Sequence, residues 1–103
     1  MFNSDLHVHY ETVAASQTAQ VVGPTGAAGD FLKSLVIIPA TTSPGSVAIK
    51  DGGGSDITVF TGGASSIADL KPIVVLLGLR SVSGAWKVTT GANVSVIAAG
   101  YFA

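Results

Sequence analysis

The stretch over residues 81–98, SVSGAWKVTTGANVSVIA, restricts what this chain can fold into more than any other. Val82, Trp86 and Val88 share one parity, while Ser81, Ser83, Lys87 and Thr89 take the other, which is the period of a strand with one buried face. Beyond Thr90-Gly91-Ala92 the pattern resumes, with Val94, Val96 and Ala98 on the apolar side and Asn93 and Ser95 on the polar side. The spacing predicts a hairpin that brings two apolar rows and the only tryptophan onto one surface, and that surface needs a second sheet to cover it. With 103 residues there is room for one domain and one core.

The remainder of the chain reads the same way. Residues 5–11 alternate Asp5, His7, His9, Glu11 against Leu6, Val8, Tyr10, which predicts an edge strand or an arm laid on a neighbour. Residues 1–12 are therefore set apart from a domain over residues 13–103. Val47 and Ile49 are in phase with Ile57 and Val59 across Asp51-Gly-Gly-Gly-Ser-Asp56, a hairpin with a glycine-rich tip. Strands are expected at 6–13, 18–22, 31–38, 47–50, 57–61, 73–79, 82–89 and 93–102, with a single helical turn at 66–70. About eight strands at this spacing predict an all-β fold, a single-domain β-sandwich of jelly-roll type. Two runs, Leu35-Val36-Ile37-Ile38 and Ile73-Val74-Val75-Leu76-Leu77, do not alternate and are expected to be covered on both faces. In a two-layer sandwich a loop, the N-terminal segment or another subunit must then lie on the outer face.

Composition narrows the partners. Charged residues make up 11% of the chain, against about 25% in an ordinary soluble domain, so much of the surface is uncharged. Such a surface favours assembly, since a free monomer relies on dispersed charge to stay in solution. The basic residues Lys33, Lys50, Lys71, Arg80 and Lys87 are scattered and the net charge is −1, which argues against nucleic acid as a partner. Cysteine is absent, removing disulfides and thiolate metal sites. The longest apolar run is far short of the roughly 20 residues of a membrane helix, so no membrane partner is expected, and MFNSDLHVHYE has no feature of a secretory signal.

Chemistry is sparse. His7 and His9, flanked by Asp5 and Glu11, are the candidate metal ligands, because a His-x-His pair on a strand can chelate zinc; the alternative is a solvated or interface face. The segment from Asp51 to Asp56 matches neither a calcium loop nor a phosphate loop, and no serine stands in a nucleophile-elbow motif. Trp86 belongs to the core by its parity, although an exposed tryptophan would stack on a sugar. The expectation is a protein that is not an enzyme and carries no cofactor.

The strings VVGPTGAAGDFL, LVIIPATTSPGSVAIKDG, ITVFTGGASS and LRSVSGAWKVTTGANVSVIAAGYF resemble a group of small proteins encoded by tailed bacteriophages, over residues 18–102. The resemblance implies a component of the virion, a capsid decoration or cement protein, built as a small β-sandwich in dimers or trimers on the major capsid protein. Alternatives are a head–tail or tail-fibre component and a carbohydrate-binding jelly roll. The candidate interface residues are Leu6, Val8, Tyr10, Tyr101 and Phe102. Residues 1–11 fall outside the likeness.

Overall fold

The computed structural model describes residues 9–102, and within them every regular element is a strand. The eight are β1 (His9–Val13), β2 (Gln20–Val21), β3 (Phe31–Pro39), β4 (Val47–Asp51), β5 (Ile57–Phe60), β6 (Ile73–Arg80), β7 (Trp86–Thr90) and β8 (Val94–Tyr101). They form two four-stranded antiparallel sheets, sheet A in the order β1-β8-β3-β6 and sheet B in the order β2-β7-β4-β5.

That order has a simple origin. β1 pairs with β8, β2 with β7, β3 with β6 and β4 with β5, so the first half of the chain lies antiparallel to the second as one long ribbon whose tip is the β4–β5 hairpin. Rolling the ribbon adds the pairs β3 with β8 and β4 with β7 and closes a jelly roll. Each time the ribbon passes from one sheet to the other, both of its chains cross together.

The crossings are held by bonds between the two passing segments. Thr90, almost fully buried, donates its hydroxyl to the Ala14 carbonyl at 2.6 Å and accepts from the Gln17 N–H at 3.0 Å, tying the β7–β8 passage to the β1–β2 passage. Gly45 N–H donates to the Ala92 carbonyl and Gly91 N–H to the Ser46 carbonyl, both at 2.8 Å. A Cβ on Gly91 would stand 2.8 Å from the Gly45 Cα, so this approach requires glycine. At the opposite end Ser81 N–H donates to the Asp30 carbonyl and Gly29 N–H to the Ser81 carbonyl, both at 2.9 Å.

The core lies between the sheets. Leu32, Leu35 and Ile37 of β3 and Val94, Val96 and Ala98 of β8 face Val47 and Ile49 of β4 and Trp86 and Val88 of β7, and Val13, Val22 and Phe102 complete it. Trp86 is 3% exposed, and its indole N–H donates to the Asp30 carbonyl at 3.0 Å, so its one polar atom is satisfied inside.

Three expectations are corrected. The β7–β8 unit is not a hairpin: β7 belongs to sheet B and β8 to sheet A, so their apolar rows face each other across the core and cover one another. Val82 is 84% exposed in the loop before β7, because β7 begins only at Trp86 and the alternation upstream is that of a loop. No helical turn forms at 66–70; the segment from β5 to β6 carries a turn in which Ser66 N–H donates to the Gly63 carbonyl and Ser65 sits at φ 51, outside the helical region. Residues 9–13 form β1, an edge strand of sheet A bonded to β8, in keeping with the edge-strand reading of that segment.

Truncating Trp86 empties the largest side chain of sheet B and removes one of the two hydrogen bonds to the Asp30 carbonyl, leaving the one from Ser81 N–H. Trp86→Ala is therefore expected to lose roughly 3–5 kcal/mol of unfolding free energy in urea titrations followed by circular dichroism; a loss under about 1 kcal/mol would show that the ring carries little of the core.

Candidate interaction surface

The two outer faces of the sandwich differ in chemistry. On sheet B the outward residues are Val21, Lys87 and Lys50 in one cross-strand row and Thr89, Ala48 and Thr58 in the next, a largely polar surface. On sheet A the registers place Thr12, Ile97, Val36 and Val74 in one row, Tyr10, Ala99, Ser34 and Leu76 in the next, and Tyr101, Phe31 and Arg80 in a third. Ile38 and Ser95 stand beyond them as a further pair. Arg80 is the one charged side chain in these rows, and it lies over the Phe31 ring, its guanidinium carbon 5.4 Å from the centroid. Phe31 in turn packs against Tyr101 with centroids 5.6 Å apart.

Exposure on this face rises from the central strands β8 and β3 towards the edges. Val36, Ile38 and Ile97 are half-buried by their neighbours, but Val74 is 61% and Leu76 79% exposed. The run Ile73–Leu77 is thus covered on one face only among the described residues, and the expected outer cover is absent from the chain's described part. Of the eight large apolar side chains left exposed among the described residues, Ile57, Leu70, Val74, Leu76 and Leu79 lie on β5, on β6 or between them. Exposed apolar side chains gathered on one side of a molecule are the kind of surface that marks an interaction site.

The sequence-derived candidates distribute as follows. Tyr10 is 72% exposed and Tyr101 half-buried, and both belong to the outer face of sheet A. Phe102 is 8% exposed and packs in the core, so it is withdrawn from the interface set: the parity of β8 turns it inward after Tyr101. Leu6, Val8 and His7 lie outside the described residues. His9 is exposed on β1, and among the described residues no group of three or more His, Asp or Glu side chains is placed to hold a metal ion. Glu11 is a fastening, its carboxylate accepting from Gly23 N–H at 2.8 Å and Gln20 Nε2 at 2.9 Å, which draws β1 onto the start of the β2–β3 loop. The signal in the sequence for Val36, Ile38, Val74 and Leu76 is the loss of alternation in the two apolar runs; Ile97, in β8, lies in neither run.

Asp51, at the hairpin tip, is structural as well. Its carboxylate accepts from Val82 N–H at 2.9 and 3.1 Å and from Ser83 N–H at 3.0 Å, clamping the β6–β7 loop to β4. The bond from Val82, with smaller help from Ser83 and Gly84, holds its pKa below the ordinary carboxylate value against an opposing contribution from burial. A depressed pKa contributes stability that is present above the unfolded value of about 3.9 and lost as pH falls through the folded one. Melting curves of the native chain and Asp51→Asn should accordingly differ at pH 6 and converge below the carboxylate range; a gap independent of pH would assign the effect to shape and not to charge. Comparisons of the chain with protein-family models, with curated proteins and with solved structures found no match in any of the three.

Proposed function

We propose that this chain is a structural subunit of a tailed-bacteriophage virion, a capsid decoration or cement protein that works by burying surface and not by catalysis. The observation that carries the reading is the largely apolar outer face of sheet A, where Arg80 in the end row and exposed Lys33 at the β3 bulge are the cations beside Tyr10, Phe31, Val36, Val74, Leu76, Ile97 and Tyr101. A rigid two-layer sandwich with one polar and one largely apolar face is suited to lie flat on a shell, Lys50 and Lys87 of sheet B outward and the apolar rows of sheet A against the capsomers. The partners are then the major capsid protein and further copies of the chain as a homodimer or homotrimer, and the location is the virion surface. At about 25 cal/mol per Å², a few hundred Å² of apolar contact supplies several kcal/mol before ordering costs, which repetition over a shell multiplies. The resemblance of residues 18–102 to small phage proteins points the same way. The carbohydrate-binding alternative loses its main residue, since Trp86 is buried and bonded to Asp30.

Purified particles of the phage that encodes the chain test this by mass spectrometry with labelled standards. Hundreds of copies per particle are expected for a decoration protein. A dozen or fewer would move the chain to the head–tail region or the fibre, and absence from particles would remove the virion reading altogether.

A further inference from the structure

The four strands that end the two sheets differ in how they are protected. β2 has two residues, and β5 has four, Ile57–Phe60, directly after Asp56. β1 carries Glu11, whose carboxylate fastens the edge to Gly23 and Gln20. β6 has eight residues, IVVLLGLR, and among the described residues it pairs with β3 on one side only and receives no loop or side-chain hydrogen bond along Ile73–Leu77 on the other. Proteins blunt an edge with charge, proline, brevity or a bulge. β6 has such features only at its limits: Pro72 precedes it, and at the far end Leu77 and Gly78 stand opposite Lys33 alone, a bulge in which Gly78 takes φ 67. Between the two runs a straight apolar edge.

We propose that this edge pairs with the same edge of a second copy of the chain, antiparallel, about a two-fold axis at Val75 perpendicular to sheet A. The proposal deepens the reading of sheet A as an assembly surface and rests on it. The occupant is a second copy because the segment is complementary to itself. Antiparallel pairing about Val75 sets Ile73 opposite Leu77 and Val74 opposite Leu76, and it sets Pro72, which has no N–H to give, opposite the bulged Gly78. Both limits of the straight edge therefore coincide. Pairing centred on a residue also preserves parity, so the outward Val74 and Leu76 meet outward residues, and the half-buried inward row of Ile73, Val75 and Leu77 meets its own image. No charge is brought opposite a like charge within the run. The two sheets A become one eight-stranded sheet with a continuous apolar outer face, and both sandwiches stand on the same side of it. Five paired residues make a small interface, so the free dimer is expected to be weak, dissociating on dilution into the low micromolar range, on the order of 10 µM.

Sedimentation equilibrium on the full chain at about 50 µM, with dilution tenfold either way, reads this directly. A reversible dimer is expected. Leu76→Lys, at a site 79% exposed, should keep its circular dichroism and melting temperature but raise the dissociation constant more than about tenfold, because the charge is desolvated against Val74 of the other copy. Mixing Leu76→Lys with Val74→Glu should restore a one-to-one heterodimer, since this register alone sets those two positions opposite each other; mixing Leu76→Lys with Leu76→Glu should not. Thr58→Lys on the β5 edge should leave the dimer unchanged. If Leu76→Lys does not fold, Val75→Cys in this cysteine-free chain reports the same axis: directly opposite Cα atoms in an antiparallel pair lie about 4.5–5.5 Å apart, within disulfide range, and mild oxidation should give a covalent dimer.

A monomeric full chain overturns the proposal, and one that dimerises only after removal of residues 1–8 overturns it for the intact protein. So does an oligomer that Leu76→Lys leaves intact, or one that the paired charges fail to restore. The virion reading fails separately. A monomer found at hundreds of copies per particle sinks the edge pairing and leaves decoration standing, and a β6 dimer absent from particles does the reverse.

Discussion

The structure depends on one constraint: each strand of the first half is hydrogen-bonded to its counterpart in the second half, so the chain can bend from sheet to sheet only where two segments bend together. A loop crossing alone would be solvated by water. Here the paired loops must satisfy each other's backbone groups at close range, and that requirement explains residues with no part in the core. Thr90 serves two carbonyl and amide groups of the neighbouring passage, Gly45 and Gly91 allow the chains to approach, and Asp51 replaces water on two loop amides. Such pairings join residues far apart in sequence, as with Thr90 and Ala14, so closing the ribbon orders much of the chain at once.

Once the ribbon is rolled, the amphipathic character of its strands decides what faces outward. Sheet B follows the rule of an ordinary sandwich, apolar inward and Lys50, Lys87, Thr58 and Thr89 outward. Sheet A breaks it at β3, β6 and β8, where apolar side chains stand on both faces. The break does nothing for the fold of the single chain, because the inward row alone seals the core. Outward Val74 and Leu76 lower solubility without adding packing, and a chain with 11% charged residues has little to offset that. Such residues are the ones the proposed contact on sheet A would use.

Much of the fold was legible because strands with one buried face write their period into the sequence. All eight strands were found within a few residues, and Val88, Val94, Val96 and Ala98 were placed on the buried side. Alternation reports which residues share a face, however, and not which sheet the face belongs to. A hairpin and a passage between sheets both show two in-phase rows joined by a short turn, and so β7 and β8 read as neighbours when they are opposed. Val82 failed for a related reason: a loop residue falls on the buried parity half the time, and Asp51, whose clamp on Val82 and Ser83 sets that loop, is distant in sequence. At the C-terminus, Tyr101 and Phe102 are adjacent aromatics on opposite sides of one strand end, and only the pairing of Tyr101 with Phe31 shows which of them is turned outward.

The side of the sandwich formed by β5 and β6 links the fold to the function proposed for it. Val59, Phe60, Ile73, Val75 and Leu77 pack against the core yet stay partly open, because among the described residues no further strand follows β6 or β5 to close the gap between the sheets. At the opposite side Glu11, Gln20 and Gly23 knit β1 to β2 and shut the sandwich. The molecule is therefore sealed along one flank and unfinished along the other. Its central residues Leu32, Leu35, Ile37, Val47, Val88 and Val96 are fully enclosed, so the chain can fold before it meets a partner. The open flank packs against this core on its inner side only. In the proposed assembly the outward Val74 and Leu76 would serve the contact alone, whereas Ile73, Val75 and Leu77 would serve both the core and the contact.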